Sequence, residues 1–93
     1  MKTITLNTRI DSLIQDILQY QNENQMPSFE EVQEFVRAAR TLPMHADESW
    51  LAEAEDFSHL ADQLLLAVKN SQFEEAVQLM DSIREAWTFI AGN

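Results

Sequence analysis

The chain is predicted to be all-α, an antiparallel four-helix bundle, on three observations. Its 93 residues hold one glycine, Gly92, and two prolines, Pro27 and Pro43, too little turn chemistry for an all-β or doubly wound fold. Apolar residues recur at intervals of three and four along most of its length. Polar connections cut this pattern into four segments, which fit a single domain over 1–93.

Ile10, Leu13, Ile14, Ile17 and Leu18 give the first helix its stripe, over about 8–22, with Thr8 as N-cap and Asp11 as an acid in its first turn. Residues 3–6 alternate as a strand does, but no other segment offers a partner. Residues 1–7 therefore read as a flexible arm or an early helical turn, with a sheet built across a dimer as the alternative. Residues 21–25 form a polar connection, and Pro27 followed by Ser28 announces the second helix, over about 28–41. Ser28 and Glu31 are spaced as a capping box: the hydroxyl accepts from the amide near Glu31, and the carboxylate reaches back to the amide of Ser28. Phe29, Val32, Phe35, Val36 and Ala39 form its apolar face, Arg37 and Arg40 suit its carboxyl end, and Pro43 stops it soon after Thr41. A turn at 44–47, with His45 beside Asp47 and Glu48, follows.

The third helix is expected over about 48–70, where Trp50, Ala54, Phe57, Ala61, Leu64 and Val68 are spaced alternately by four and three. That heptad-like seam favours the shallow crossing angles of bundles. Ser71 with Glu74 reads as a second capping box, opening a fourth helix over about 72–90 whose face is Phe73, Ala76, Val77, Met80, Ile83, Trp87 and Ile90. The short connection at 70–71 makes helices three and four antiparallel neighbours. Trp50, Phe73 and Val77 belong to the predicted core, and the first helix is the one placed to pack loosely or exchange between subunits.

Composition narrows the function. The chain has no cysteine, so disulfides, thiolate catalysis and cysteine-based metal ligation are excluded. Its amino terminus lacks the apolar stretch of a secretory signal, and no apolar run approaches the roughly 20 residues of a membrane span, so a cytoplasmic location is expected. Sixteen acids against six bases give a net charge of −10. The excess sits in the second half: residues 1–46 carry six acids and four bases, net −2, and residues 47–93 carry ten acids and two bases, net −8. Such a field repels phosphate backbones and anionic membranes, which argues against direct contact with nucleic acid or membrane and for a protein partner with a basic surface.

The charge is densest over 47–62, where Asp47, Glu48, Glu53, Glu55, Asp56 and Asp62 occur without a lysine or arginine. At 100° per residue Glu48, Glu55 and Asp62 fall together, opposite Trp50 and Phe57, at intervals of about 10.5 Å. His59 lies among them and Leu51 nearby. This strip either docks a basic surface, imitates a phosphate backbone, or is a solvated helix face whose acids favour the helix amino end. Leu51 and Leu66 project toward the same polar side, where an isolated monomer gains nothing from them, and so point to a contact with the arm, the first helix or a second subunit of a homodimer.

Glu55, His59 and Asp62 could offer three metal ligands from one helix, but a di-iron bundle needs Glu-x-x-His on two helices, and this chain has one Asp56-x-x-His59 and no second copy. No metal and no cofactor is therefore expected. No nucleophile elbow, phosphate loop or glycine-rich turn is present, and no catalytic residue is assigned. Trp50, Trp87, Phe29, Phe35, Phe57, Phe73 and Phe89 read as core; lining a ligand- or metal-binding pocket between helices, around Trp50 and Trp87, is the alternative.

Over 35–87, Trp50 leading into Asp56-Phe57, then Ala61, Ala67-Val68, Asn70, Phe73-Glu74-Glu75-Ala76 and Met80 resemble the small cytochrome c′-like helical domains of bacteria. The resemblance covers a little over half the chain and implies a four-helix architecture. Where that family bears haem this chain reads Arg84-Glu85-Ala86-Trp87-Thr88, without Cys or His, so haem attachment does not carry over. The stretch 67–76 also looks like the turn of a tetratricopeptide-type hairpin, without a 34-residue repeat. The expected function is a small acidic, non-catalytic protein–protein interaction module, of inhibitor or DNA-mimic type.

Overall fold

The computed structural model describes the backbone of residues 2–91 and side chains from Thr8 to Ala91. Four helices, α1 (Lys2–Asn22), α2 (Phe29–His45), α3 (Leu51–Lys69) and α4 (Phe73–Ala91), form an antiparallel bundle without a strand among the described residues. Each helix packs on its two ring neighbours, α1 on α2 and α4, and α3 on α2 and α4. The diagonal pairs stay apart. The α2–α3 and α3–α4 seams are the more extensive, and the molecule measures 35 × 20 × 20 Å.

The core is wholly apolar among the described residues. Ile10, Ile14 and Ile17 enter it from α1, with Val32, Phe35, Ala39 and Leu42 from α2, Ala54, Phe57, Ala61 and Leu64 from α3, and Ala76, Met80, Ile83, Trp87 and Ile90 from α4. Phe57 joins three helices: its ring lies edge-on to Phe35 at 5.6 Å and tilted against Trp87 at 5.5 Å. Such pairs add about 0.5–1.5 kcal/mol each beyond burial. Trp50 and Val77, expected in the core, are half-buried against its edge, and Phe73 is half-buried at the end of the bundle. Phe29 and Phe89 face largely outward, Phe29 as the first residue of α2, at the edge of its buried arc, and Phe89 on the side of α4 away from the Ala76, Met80, Ile83, Trp87 and Ile90 stripe.

Helix boundaries depart from expectation in four places. The first helix extends back to Lys2, so the backbone of 2–7 is neither arm nor strand, and Thr8 lies inside a helix rather than capping one. Met1, the remaining residue of the expected arm, lies outside the described residues. Pro43 is tolerated inside α2: it removes one amide, the partner of the Ala39 carbonyl, but sits in the last turn, which closes through Ala46 N–H to Leu42 O at 3.0 Å over a fully buried Leu42. His45 is therefore the last helical residue, not part of a turn.

The third departure concerns residues 47–49, which form a turn instead of the first turn of α3. The Asp47 carboxylate accepts from the Ser49 amide at 2.9 Å and from the Ser49 hydroxyl, and the Asp47 carbonyl accepts from the Trp50 amide at 3.2 Å. This local bonding competes with helix, which opens only after Trp50.

The fourth lies between α3 and α4. Ser71 does not cap α4; it has φ 57° and ends α3, with its amide bonded to Val68 O at 3.1 Å and the Gln72 amide to Ala67 O at 2.9 Å. That is the Schellman arrangement, which requires a left-handed residue just past the helix. Asn24, at φ 55°, ends α1 the same way, with its amide on Gln21 O and the Gln25 amide on Tyr20 O. With no glycine at either junction, asparagine and serine take the left-handed role.

Candidate functional site

Four of the five residues singled out on the anionic strip lie on one helix. Leu51 is the first residue of α3 and half-buried, Glu55 and His59 are exposed, and Asp62 is half-exposed. Glu48 is separated from them, exposed in the turn before α3, so it borders the strip at its end and does not continue the helix face. Asp62 is not directed wholly outward either. Its carboxylate is gripped by Arg40 of α2, through Nη2 at 2.9 Å and Nε at 3.1 Å. Both side chains stay 40% or more exposed, so screening keeps this pair to roughly 0.2–1 kcal/mol.

That ion pair shows which flank of each helix meets the other. On α2, Phe29, Gln33, Arg37, Arg40 and Met44 follow steps of four, four, three and four, a single exposed stripe whose Arg40 edge turns toward α3. On α3, Leu51, Glu55, His59, Asp62 and Leu66 follow the same steps. Phe29 is 44% exposed, Met44 80% and Leu66 57%. The outer face of the α2–α3 pair is thus an acidic stripe lying beside a basic one, with large apolar side chains at both ends. The basic stripe is the part that sequence reading misses. Arg37 and Arg40 read there only as helix-end charges, and nothing in the chain announces that α2 lies beside that flank of α3.

Glu55, His59 and Asp62 do not converge: among the described residues no three His, Asp or Glu side chains are grouped as a metal ion would need. The interior offers little room. Between Ile14, Ile17, Phe35, Leu64, Met80 and Ile83 the cavity is only about 10 Å³, the space of a single water, and it is lined by apolar groups that would not hold one. Trp87 is packed on Phe57 and turns its indole N–H toward Asp11 of α1 at 3.3 Å, satisfying the polar edge of the ring.

Two open surface hollows flank α1 and α2. One, of about 350 Å³, is lined by Asp16, Gln19, Tyr20, Glu23 and Glu31. The Tyr20 hydroxyl donates to Glu31 at 2.6 Å. This bond raises the phenol above its ordinary pKa, with desolvation and the charges of Glu31, Glu23 and Asp16 adding to it, so Tyr20 is a donor at neutral pH and not a nucleophile. Glu31 is therefore turned away from the reciprocal capping bond expected of it, although the Ser28 hydroxyl does accept from its amide, at 3.5 Å. The other hollow, about 390 Å³, lies between Arg9, Arg37, Ala38, Thr41 and His45. Arg9 pairs with Glu34 at 3.4 Å, while Arg37 has no ion-pair partner among the described residues.

No helix among the described residues is long and apolar enough to cross a membrane. Compared with family models, curated proteins and solved structures, the chain matches none of them.

Proposed function

We propose that this protein is a small acidic, non-catalytic protein–protein interaction module that docks a basic partner surface through the outer face of α3. The observation that carries the reading is the exposure of Leu66 one turn from the half-exposed Asp62, with His59 and Glu55 further along the same face, a large apolar side chain left open to a partner at the end of a charged stripe. Leu51 at the start of the helix and Glu48 just before it extend the patch. Between an inhibitor and a DNA mimic, the grip of Arg40 on Asp62 favours a protein-binding inhibitor, since a phosphate-backbone mimic needs an unbroken run of negative charge.

A ligand- or metal-binding bundle is the less supported reading, because Trp87 fills the space between helices that such a pocket would use. Capture from a cell lysate on the immobilised protein, at low and at high salt, tests docking. Reversing Glu48, Glu55 and Asp62 to lysine should abolish salt-sensitive capture of a basic protein while helical content stays unchanged and melting falls only by the few degrees that loss of the exposed Arg40–Asp62 pair entails, because exposed charges act within about 8 Å at physiological ionic strength. Undiminished capture by the triple variant would refute it.

A further inference from the structure

We propose that the basic surface met by α3 is α2 of a second copy of this chain, giving a homodimer whose two-fold axis runs parallel to the helices. The inference rests on the docking reading above and names the partner of that same face. Its premise is the level at which residues stand along the bundle. Phe35 meets Phe57 and Arg40 meets Asp62, contacts that differ in register by ten residues, about 15 Å, so positions of equal height on antiparallel α2 and α3 lie near the mean of the two. Near that mean Phe29 stands within about 3 Å of the height of Leu66, Arg37 of His59, Arg40 of Glu55, and Met44 of Leu51.

Two copies joined face to face through α2 and α3 can be related by a two-fold axis along the helices or across them. An axis across the helices lays α2 on α2, arginine against arginine, and α3 on α3, carboxylate against carboxylate. An axis along the helices lays α2 on α3 at equal height. Phe29 then covers Leu66, Met44 covers Leu51, and Arg40 faces Glu55, each contact made twice. Apolar groups meet apolar groups at both ends and opposite charges meet in the middle. Charge complementarity therefore selects one of the two symmetries.

The size of the face is adequate. A bundle side of 35 by 20 Å offers at most about 700 Å² per partner, near the roughly 800 Å² of a standard interface. The hollows beside α1 are also opposite in charge, but the large exposed apolar side chains Phe29, Met44 and Leu66 sit on the α2–α3 face and not in those hollows, and their burial adds to what charge alone supplies.

Sedimentation equilibrium on the purified chain tests this, with circular dichroism melts confirming that each variant is folded. The wild type should show a concentration-dependent dimer. Arg40→Glu and Glu55→Lys should each weaken it at least about tenfold, and an equimolar mixture of the two variants should restore it. In the mixed dimer the carboxylate introduced at position 40 of one chain faces the ammonium introduced at position 55 of the other, and at the second contact the native Arg40 faces the native Glu55. Leu66→Ser should weaken the dimer too, and Asp16→Lys, in the hollow beside α1, should not. A wild type that stays monomeric, a mixture that fails to restore association, or a loss caused by Asp16→Lys overturns the homodimer. A monomer that still captures a basic protein through Glu55 leaves the docking reading standing, so the two can fail separately.

Discussion

Replacing Ser71 with glycine should stabilise the bundle, which is an unusual expectation for a mutation to glycine. At φ 57° the serine Cβ crowds the neighbouring carbonyl, at a cost of about 1–2 kcal/mol. Glycine removes that cost but gives the unfolded chain more freedom, worth about 0.4–1 kcal/mol. The difference of the two midpoints leaves a gain of about 0.8 kcal/mol, since the Schellman bonds from the amides of residues 71 and 72 are kept. At about 4–8 °C per kcal/mol for a domain of this size, the melting temperature should rise by about 3–6 °C. Thermal and urea melts followed by far-ultraviolet circular dichroism measure it. Ser71→Val, which adds branching at the same φ, should lower the melting temperature. Asn24→Gly should gain less, because asparagine already tolerates the left-handed region. A fall in stability for Ser71→Gly, or no penalty for Ser71→Val, would show that this junction does not hold serine in a strained conformation.

Phe57→Ala should cost about 3–5 kcal/mol, because a fully buried ring with aromatic neighbours on two helices is removed, and chemical denaturation should show the loss against a total stability of about 5–14 kcal/mol. The single tyrosine makes a clean pH probe: tyrosinate absorbance should show Tyr20 ionising above 10.0, and Glu31→Gln should bring it back toward that value. Because the folded pKa lies above the unfolded one, the stability linked to Tyr20 is fully present below the unfolded pKa and is lost as pH rises through the folded value, so wild type should lose more stability than Glu31→Gln in that alkaline window. A double-mutant cycle on Arg40 and Asp62 should return no more than about 1 kcal/mol, as screening demands of an exposed pair, and a larger coupling would mean the pair is less hydrated than its exposure indicates.

The four helices and most of the core are legible in the sequence because a core stripe repeats, and repetition survives errors in boundary placement. Junctions carry no such redundancy. Ser71 followed by Glu74 has the spacing of an N-cap box, yet the same serine is claimed by the end of the preceding helix, and the tertiary need for a left-handed residue decides the matter. Pro43 reads as a stop, but a proline one turn from a helix end costs a single bond, less than Leu42 gains by burial. The candidate site is half legible for a related reason. A wheel shows which residues share a helix face, and it identifies Glu55, His59 and Asp62; it cannot show which flank of another helix lies alongside. Arg40 is therefore invisible as the neighbour of Asp62, and periodicity places Glu48 in a helix that the Asp47 turn begins too late to include.

An interior that holds no polar side chain among the described residues has a consequence for chirality at the level of the whole ring of helices. Four helices joined by short connections can be arranged clockwise or anticlockwise, and a core without buried polar groups discriminates weakly between the two. In the opposite ring α1 would meet the flank of α2 that carries Gln33 and Arg40, and Tyr20 would lose Glu31. The bonds of Gln21 to Asp81, at 2.9 Å, and of Trp87 to Asp11 would be lost with it. Modest polar contacts at the rim, the Arg9–Glu34 and Arg40–Asp62 pairs included, thus act as the molecule's sense of hand.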